Sequence, residues 1–243
     1  MSNALVIIPT FNEKENIEAI INAVFSQNKQ FDILIVDDNS PDRTSKIVLK
    51  LKEKYSNLFL EIRKDKKGLG TAYIHGFKWA LKNNYDYIIE MDADFSHNPK
   101  DLIKLYNACA VDGADFAIGS RYLNNKINVV NWDFKRLFLS YFASKYVRLI
   151  TKIPIFDTTA GFVCYKRKVL EKIDLNQINF VGYAFQIEMK FKAWKHHFKH
   201  KEVSIVFSDR EKGTSKMSGS IISEAVFGVL KMKLHGLPNQ PKK

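Results

Sequence analysis

Short apolar segments alternate with segments of helical periodicity through the first 120 residues. The apolar runs have strand length, and the segments between them repeat hydrophobic residues every three or four positions. This order predicts a parallel sheet with right-handed crossover helices. The predicted strands are Leu5–Ile8, Phe31–Val36, Leu58–Ile62, Tyr85–Met91 and Phe116–Gly119. The predicted helices are Glu13–Phe25, one starting at Pro41 after a Ser40 cap, Thr71–Lys82, and one from the Asn98-Pro99 cap to Ala110.

The second half of the chain is less regular, although helices and strands are still predicted there. Because no Pro- or Gly-rich linker and no internal repeat interrupts the sequence, we expect one domain over residues 1–243. The elements predicted in this half are the helices Phe134–Ile150, Tyr183–Lys195 and Ile221–Leu234 and the strands Phe162–Tyr165 and Glu202–Phe207.

Positive charge is concentrated in the second half. Residues 1–120 carry 15 Lys and Arg against 17 Asp and Glu, whereas residues 121–243 carry 23 against 9, a net charge of +14. A merely solubilising surface would not segregate charge in this way. The asymmetry favours a polyanionic partner for the second half: nucleic acid, acidic lipid headgroups or a phosphorylated substrate.

Targeting and redox features are few. The N-terminus leads almost directly into the first apolar strand, with neither the basic region nor the cleavage site of a signal peptide. The apolar segments Leu137–Ile150 and Ile221–Leu230 are too short to span a bilayer. Cys109 and Cys164 lie in apolar patterns, which suits reduced, buried thiols. We therefore expect a cytoplasmic protein without a transmembrane helix.

Open parallel sheets bind ligands at the carboxyl ends of their strands, so the residues that follow each predicted strand indicate function. Pro9-Thr10-Phe11-Asn12-Glu13 follows the first strand and contains no glycine. A dinucleotide-binding turn requires Gly-x-Gly-x-x-Gly at this point. Gly68-Leu69-Gly70 follows the third strand instead, with Tyr73 after it, and no Gly-Lys-Ser/Thr motif occurs. Nicotinamide, flavin and phosphate-loop sites are therefore disfavoured.

Acidic residues follow two of the strands. Asp92-Ala93-Asp94 follows the fourth, and alternate carboxylates at a buried strand end repel each other unless a cation lies between them. Hard oxygen ligands at this spacing suit Mg²⁺ or Mn²⁺, which complete their shells with water and substrate phosphates. A solvated acidic turn before Asn98 is the alternative. After the second strand, Asp37 or Asp38 is predicted to bind a base or ribose, with helix capping as the alternative.

Two groups of basic residues have different interpretations. His196 and His200 are four residues apart, but His197 and not Glu follows His196, and lysines surround them, so a solvated helix end is favoured over a zinc site. The second group follows predicted strands or lies in polar loops and helix starts, where arginine is suited to bidentate phosphate contacts. Its members are Arg121, Arg136, Arg210 and Lys216.

Taken in order, these motifs resemble the dolichol-phosphate mannose synthases, which belong to glycosyltransferase family two and have the GT-A nucleotide-sugar fold. The likeness spans about residues 4–220. It is carried by Pro9-Thr10-Phe11-Asn12-Glu13, Val36-Asp37-Asp38-Asn39-Ser40-Pro41-Asp42, Gly68-Leu69-Gly70-Thr71-Ala72-Tyr73, Met91-Asp92-Ala93-Asp94-Phe95-Ser96-His97-Asn98-Pro99, Gly119-Ser120-Arg121-Tyr122 and Gly182-Tyr183-Ala184-Phe185-Gln186-Ile187-Glu188-Met189.

The resemblance implies an α/β GT-A fold with a mostly parallel central sheet flanked by helices. Residues 1–120 would form a nucleotide-sugar-binding half, and residues 121–243 a basic half that faces the acceptor and the membrane. The implied donor-binding residues are Pro9, Phe11, Glu13, Val36, Asp38, Gly70, Asp92, Ala93, Asp94, Arg121, Arg210 and Lys216. The implied acceptor-phosphate residues are Arg121, Arg136, Ser140 and Arg210; the metal ligands are Asp92, Asp94 and Ser96; and the catalytic residues are Asp92, Asp94, Arg121 and Arg210.

The implied reaction transfers mannose from GDP-mannose to a dolichyl or polyprenyl phosphate with inversion, with Mg²⁺ or Mn²⁺ as cofactor. The protein would work as a peripheral enzyme on the cytoplasmic face of a membrane. The sequence departs from the family pattern at Phe11, where many members have Tyr, and at Ser96, where some have Gln. Thr159-Ala160-Gly161-Phe162-Val163 replaces the usual Thr-Ser-Gly-Phe-Arg, and the hydrophobic tail of some members is missing.

Three alternatives remain open at the level of sequence. A sister enzyme would use UDP-glucose or another UDP-sugar, since Asp38 could pair with either base. A nucleic-acid-binding protein would explain the basic half, but no recognition helix, RNP motif or zinc pattern occurs, so no nucleic-acid partner is expected. A catalytically silent nucleotide-sugar binder would keep the donor motifs without turnover.

Overall fold

The computed structural model describes residues 2–123, 127–132, 134–182, 184–209 and 228–233, apart from the side chains of Lys135 and Arg136. Strands and helices alternate along this length as the hydrophobic pattern predicts. The strands are β1 Ala4–Thr10, β2 Asp32–Asp37, β3 Leu58–Ile62, β4 Tyr87–Glu90, β5 Phe116–Ser120, β6 Val129–Val130, β7 Val163–Lys166, β8 His200–Ser204 and β9 Phe207–Ser208.

The helices mostly lie within two or three residues of their predicted bounds. Of the predicted final helix Ile221–Leu234, only residues 228–233 lie within the described part of the chain, and these are helical. The sequence pattern missed the short helix α6. The helices are α1 Ile17–Phe25, α2 Thr44–Lys52, α3 Leu69–Lys82, α4 Leu102–Ala110, α5 Phe134–Thr151, α6 Arg167–Lys172 and α7 Ala184–Lys195.

In the described residues, seven strands form one sheet in the order β3-β2-β1-β4-β7-β5-β8. β7 pairs antiparallel with both β4 and β5, and the other neighbours in this sheet pair in parallel. Since two antiparallel steps restore direction, β4 and β5 point the same way. The carboxyl ends of β1, β2, β4 and β5 therefore lie at one edge of the sheet, together with the amino end of β7.

Hydrophobic cores cover both faces of the sheet, and alternate strand residues contribute to each. In β1, Leu5 and Ile7 belong to one core, and Val6 and Ile8 to the other. The first core is covered by residues of α3, α5, α6 and α7, and the second by residues of α1, α2 and α4. This three-layer arrangement explains why the strands read as continuous apolar runs, because they are buried on both sides.

Several predicted boundaries are wrong. α1 begins at Ile17 and not at Glu13. α2 begins at Thr44 and not at Pro41, because the Ser40 hydroxyl donates to Asp37 while Asp42 accepts from the Thr44 amide and hydroxyl. The predicted strand Glu202–Phe207 is divided between β8 and β9, since the chain leaves the large sheet at Ile205. β9 then pairs with β6.

Two further sequence expectations concern cysteines and membrane spans. Cys109 and Cys164 are both buried free thiols, as predicted. Among the residues that the structure describes, the helices all fall short of the length and apolar character needed to cross a membrane.

Gly76 sets how closely α3 approaches the sheet. A β-carbon at this position would lie 2.7 Å from Ile7 Cγ2 and 2.9 Å from Ile7 Cδ1. Gly76 and the Ile7 side chain are both buried, so the contact could be relieved only by moving the helix or the strand.

We expect Gly76→Val to lower the free energy of unfolding by about 1–3 kcal/mol, because the added methyl groups overpack the contact between α3 and β1. Urea unfolding followed by circular dichroism measures the change. Lys82→Val, at the exposed end of the same helix, is the matched control and should cost less than about 1 kcal/mol through helix propensity. Equal losses in the two variants would contradict overpacking as the cause.

Candidate active site

The loops after β1 and β2 are tied together by buried polar contacts. The Asp37 carboxylate accepts hydrogen bonds from the Thr10 hydroxyl at 2.7 Å and the Ser40 hydroxyl at 2.6 Å. Ser40 Oγ also accepts from the Asn12 amide at 3.0 Å, and Thr44 Oγ1 accepts from the Glu13 amide at 3.0 Å. Asp37 therefore organises the two loops. These contacts fix the backbone beside Phe11 and Glu13, two of the predicted donor-binding residues.

Asp38 forms a bidentate ion pair that the sequence analysis missed. Arg63 Nε lies 2.6 Å from one carboxylate oxygen and Arg63 Nη2 lies 2.8 Å from the other. Arg63 Nη1 donates to the Thr71 hydroxyl at 2.9 Å, which links the pair to the start of α3. Arg63 is the first residue after β3, so the rule of examining strand ends could have found it. The predicted contact of Asp38 with a nucleoside stays a prediction.

Asp92, Ala93 and Asp94 follow β4 at the same edge. The Asp92 side chain is 35% exposed, and its Oδ1 accepts from the Tyr73 hydroxyl at 3.3 Å. Asp94 is 8% exposed, and its Oδ1 accepts from the Ser96 amide at 3.1 Å. The Asp92 carboxylate is thus accessible to solvent, whereas the Asp94 carboxylate is held in the turn that contains Ser96.

The chemistry of these donors fits a divalent cation that is shared with a substrate. The described residues contain no cluster of three or more His, Cys, Asp or Glu side chains suited to a metal. Mg²⁺ and Mn²⁺ sites for phosphate substrates commonly use one or two carboxylates and leave the remaining positions to phosphate and water. Asp92 and Asp94, with Ser96 beside them, match this smaller set.

His97 holds the acidic turn in place. Its Nδ1 accepts a hydrogen bond from the Asp92 amide at 3.1 Å, and its ring stacks on Phe162 with a centroid distance of 4.7 Å. Burial lowers the pKa of His97 to about 4, an effect that the charge of Asp94 opposes. The imidazole is therefore neutral at pH 7 and serves as an acceptor. In the sequence, the signal for this contact was the position of His97 beside the acidic motif.

Arg121 follows β5 and is held by a buried carboxylate. Its Nε and Nη2 lie 2.7 and 2.6 Å from the two oxygens of Asp157, and its backbone amide donates to the same group at 2.9 Å. Burial alone would raise the pKa of Asp157, but the Arg121 guanidinium holds it below its usual value. The guanidinium also lies 5.5 Å from the ring centroids of Trp132 and Phe207. Arg121 is thus fixed in position, and its partner Asp157 was not predicted.

A buried Glu–Lys pair lies beneath the acidic turn. Burial raises the pKa of Glu90 to about 8 and lowers that of Lys190 to about 8, and the two opposite charges partly offset these effects. Lys190 Nζ donates to the Ala160 carbonyl at 2.5 Å, in the loop between Asp157 and β7. Neither oxygen of the Glu90 side chain has a hydrogen-bond partner in the described structure. The Gln186 side chain lowers the pKa of Glu90, although its Nε2 makes no hydrogen bond to any residue that the structure describes.

The remaining predicted site residues are placed as follows. Gly70 donates its amide to the Val181 carbonyl, and a β-carbon there would lie 2.8 Å from Phe185, so packing against α7 explains this glycine. Ser140 accepts a hydrogen bond from the Tyr122 hydroxyl at 2.8 Å, which joins α5 to the residue after Arg121. Pro9 lies in β1 at the site edge, and Val36 is buried in β2. Arg210, Lys216 and the side chain of Arg136 lie outside the described residues.

The arrangement of paired carboxylates, a fixed arginine and anchored strand-end loops can be compared with known proteins. Residues 5–174 match the model of the family described as glycosyl transferase family 2. The chain belongs to this family. It is therefore a glycosyltransferase, as the ordered motifs predicted.

Two relatives of this glycosyltransferase are similar along nearly the whole chain. The polyprenol monophosphomannose synthase of Mycolicibacterium smegmatis is 45% identical, with 96% of this chain and 87% of the relative covered. The undecaprenyl-phosphate mannosyltransferase of Micrococcus luteus is 40% identical, with 95% and 93% covered. These relatives confirm the predicted resemblance to lipid-phosphate mannose synthases.

Solved structures confirm the GT-A fold of the glycosyltransferase. The glucosyl-3-phosphoglycerate synthase of Mycobacterium tuberculosis, solved with Mn²⁺, UDP and glucosyl-3-phosphoglycerate, superposes with a TM-score of 0.67 at 15% identity, covering 98% of this chain and 81% of that one. The mannosyltransferase PcManGT of Pyrobaculum calidifontis, solved with GDP-Man and Mn²⁺, gives 0.58 at 16% identity, covering 98% and 76%.

We expect Glu90→Gln to change how the stability of the glycosyltransferase depends on pH. Glu90 keeps its proton up to about pH 8 in the folded chain but releases it near its ordinary pKa of 4.5 when unfolded. Between these values the folded state binds more protons, so the contribution of Glu90 to stability falls as pH rises. The stability of the variant relative to the wild type should therefore increase from pH 5.5 to pH 8, by an amount on the order of a few kcal/mol.

Urea denaturation in EDTA at several pH values measures this difference without metal. Glu53→Gln, at an exposed position at the end of α2, is the matched control and should leave the pH profile nearly unchanged. Parallel profiles for the wild type and Glu90→Gln would show that Glu90 is already ionised in the folded chain.

Proposed function

We propose that this glycosyltransferase moves a mannosyl residue from GDP-mannose to a polyprenyl phosphate and gives a β-linked lipid-phosphate mannose by inversion. The observation that carries the proposal is the convergence of Asp92, Asp94 and the Asp157-bound Arg121 around His97 at one sheet edge. The names of the two relatives support mannose and a polyprenyl phosphate. The GDP-Man and Mn²⁺ found with the Pyrobaculum calidifontis enzyme support the donor and the cofactor.

The acceptor is already an anion, so its phosphate oxygen needs little help from a general base. That oxygen would form a bond to the anomeric carbon as the bond from this carbon to the diphosphate oxygen breaks. The electron pair then leaves with the nucleoside diphosphate. In-line displacement of this kind inverts the anomeric centre, so a donor with an α-linked sugar gives a β-linked product.

The protein therefore has to hold two anions in line and stabilise the charge on the leaving group. Mg²⁺ or Mn²⁺, held by Asp92 and Asp94 with Ser96 beside them, would supply positive charge at the diphosphate. Arg121 is preorganised by Asp157 and the surrounding rings, so it loses little freedom on meeting a phosphate. The rigid loops after β1 and β2 would receive the nucleoside.

The same proposal places the enzyme on the cytoplasmic face of a membrane, where its lipid acceptor would lie. Phe134, Phe138 and Phe142 are exposed at successive four-residue steps along α5. Exposed aromatic side chains on one face of a helix are typical of interfacial helices that lie in the plane of a bilayer surface. The inner side of the same helix contacts Tyr122 through Ser140, which would bring the acceptor phosphate near Arg121.

We expect Asp92→Ala and Asp94→Ala each to reduce turnover at least about a hundredfold, because each removes preorganised charge at the leaving group. Both variants should also bind Mn²⁺ plus nucleoside diphosphate more weakly, which isothermal titration calorimetry measures. Asp112→Ala, before β5 and therefore at the opposite edge of the sheet, is the control and should keep normal turnover. Near-normal turnover in both site variants would reject the metal-site assignment.

A donor panel tests the proposed reaction directly. GDP-mannose, UDP-glucose and UDP-N-acetylglucosamine are offered with a short polyprenyl phosphate in detergent, with and without EDTA. We expect product from GDP-mannose that EDTA abolishes and that Mn²⁺ or Mg²⁺ restores, with a β linkage by NMR. Transfer from UDP-glucose alone would establish the UDP-sugar alternative, and binding without transfer would indicate a silent nucleotide-sugar binder.

A further inference from the structure

The exposed face of α5 is apolar in its first half and positively charged at its end. Phe134, Phe138 and Phe142 are exposed in its first half, and Phe138 stacks on Phe142 with a centroid distance of 4.1 Å. Lys145 continues the same face, since it lies three residues after Phe142, and Lys152 directly follows the last residue of the helix. The helix thus presents an apolar stripe that ends in a cationic one.

A cleft of about 570 Å³ opens at this cationic end. Ile153 is buried, so it forms a floor, while the lysines and Leu149 are exposed at the rim. The cleft is shallow and open to solvent, so a ligand bound there would remain partly exposed. The residues that line the cleft are Lys145, Arg148, Leu149, Lys152, Ile153 and Pro154.

No carboxylate neutralises the cations of this cleft in the part of the chain that the structure describes. Residues 134–156 contain five Lys or Arg and no Asp or Glu. Lys145, Arg148 and Lys152 take part in none of the ion pairs among the described residues. Instead, the Arg148 guanidinium lies 4.3 Å from the centroid of the Phe156 ring, and Lys145 Nζ lies 4.7 Å from that of Tyr141. The cleft therefore concentrates positive charge beside apolar walls.

We propose that this cleft binds the headgroup phosphate of an anionic phospholipid while the phenylalanine stripe enters the membrane interface. The inference rests on the membrane-surface location given under Proposed function. Arginine matches a phosphate with two parallel hydrogen bonds, and lysines add point charges around it. Leu149, Ile153 and Pro154 provide the apolar wall that a glycerol backbone and the first acyl carbons would contact.

This cleft differs in position from the predicted acceptor-phosphate site. Ser140 and Lys145 are five residues apart, so they point to opposite sides of the helix. Ser140 contacts Tyr122, beside Arg121, while Lys145 lines the cleft. A bound headgroup would therefore orient α5 on the membrane without occupying the place where the acceptor phosphate reacts.

Vesicle flotation at low salt tests the inference with the full chain. We compare vesicles of phosphatidylcholine with vesicles that also contain phosphatidylglycerol, using the wild type and the triple variant Lys145→Gln/Arg148→Gln/Lys152→Gln. Each cation should strengthen binding to the anionic vesicles roughly fivefold, so the triple variant should bind them about a hundredfold more weakly. The matched control is Lys46→Gln/Lys50→Gln/Lys52→Gln, which makes the same charge change at exposed positions of α2 and should bind like the wild type.

Three outcomes would overturn the assignment of the cleft to a lipid headgroup. Equal losses in the two triple variants would indicate a general effect of net charge, and equal binding of the wild type to both kinds of vesicle would show that anionic lipid is not recognised. Release by inorganic phosphate, but not by sodium chloride of the same ionic strength, would assign the cleft to free phosphate. Failure of the proposed function would be seen separately, in the turnover of unmodified protein with the short acceptor in detergent.

Discussion

Convergence of carboxylates at one edge of the sheet is the constraint on which the site depends. Parallel pairing of β1, β2 and β4 brings their carboxyl ends together, and the acidic residues at those ends come with them. Like charges so close to buried strands are unfavourable unless cations or hydrogen bonds offset them. The surrounding structure meets this requirement separately for each carboxylate, and Asp92, the more exposed of the pair after β4, retains access to solvent.

The compensating groups come from distant parts of the chain. Arg63 pairs with Asp38 and Arg121 with Asp157, while Glu90 is buried in its neutral form near Lys190. Lys190 also holds the loop that carries Asp157, so the support of the acidic turn and that of Arg121 are connected.

Much of the architecture could be predicted because hydrophobic periodicity is a local property. The five strands of the first half and the helices between them follow from it within a few residues. The errors arose where side chains had more than one possible role. Ser40 was predicted to cap α2, but in the structure its hydroxyl serves Asp37 and the β1 loop instead. The direction of β7 was not evident either, since direction depends on which strands it joins.

The sequence by itself determined the strand order along the chain, the acidic motif after β4, the basic second half and the family, because each of these is encoded in contiguous residues. Only the tertiary structure decided that Arg63 pairs with Asp38 and that Arg121 is held by Asp157. It also decided that neutral His97 accepts a hydrogen bond from the Asp92 amide. The physical reason is that pairing and burial depend on distance in space. Side chains many positions apart become partners only when the sheet brings their strand ends together.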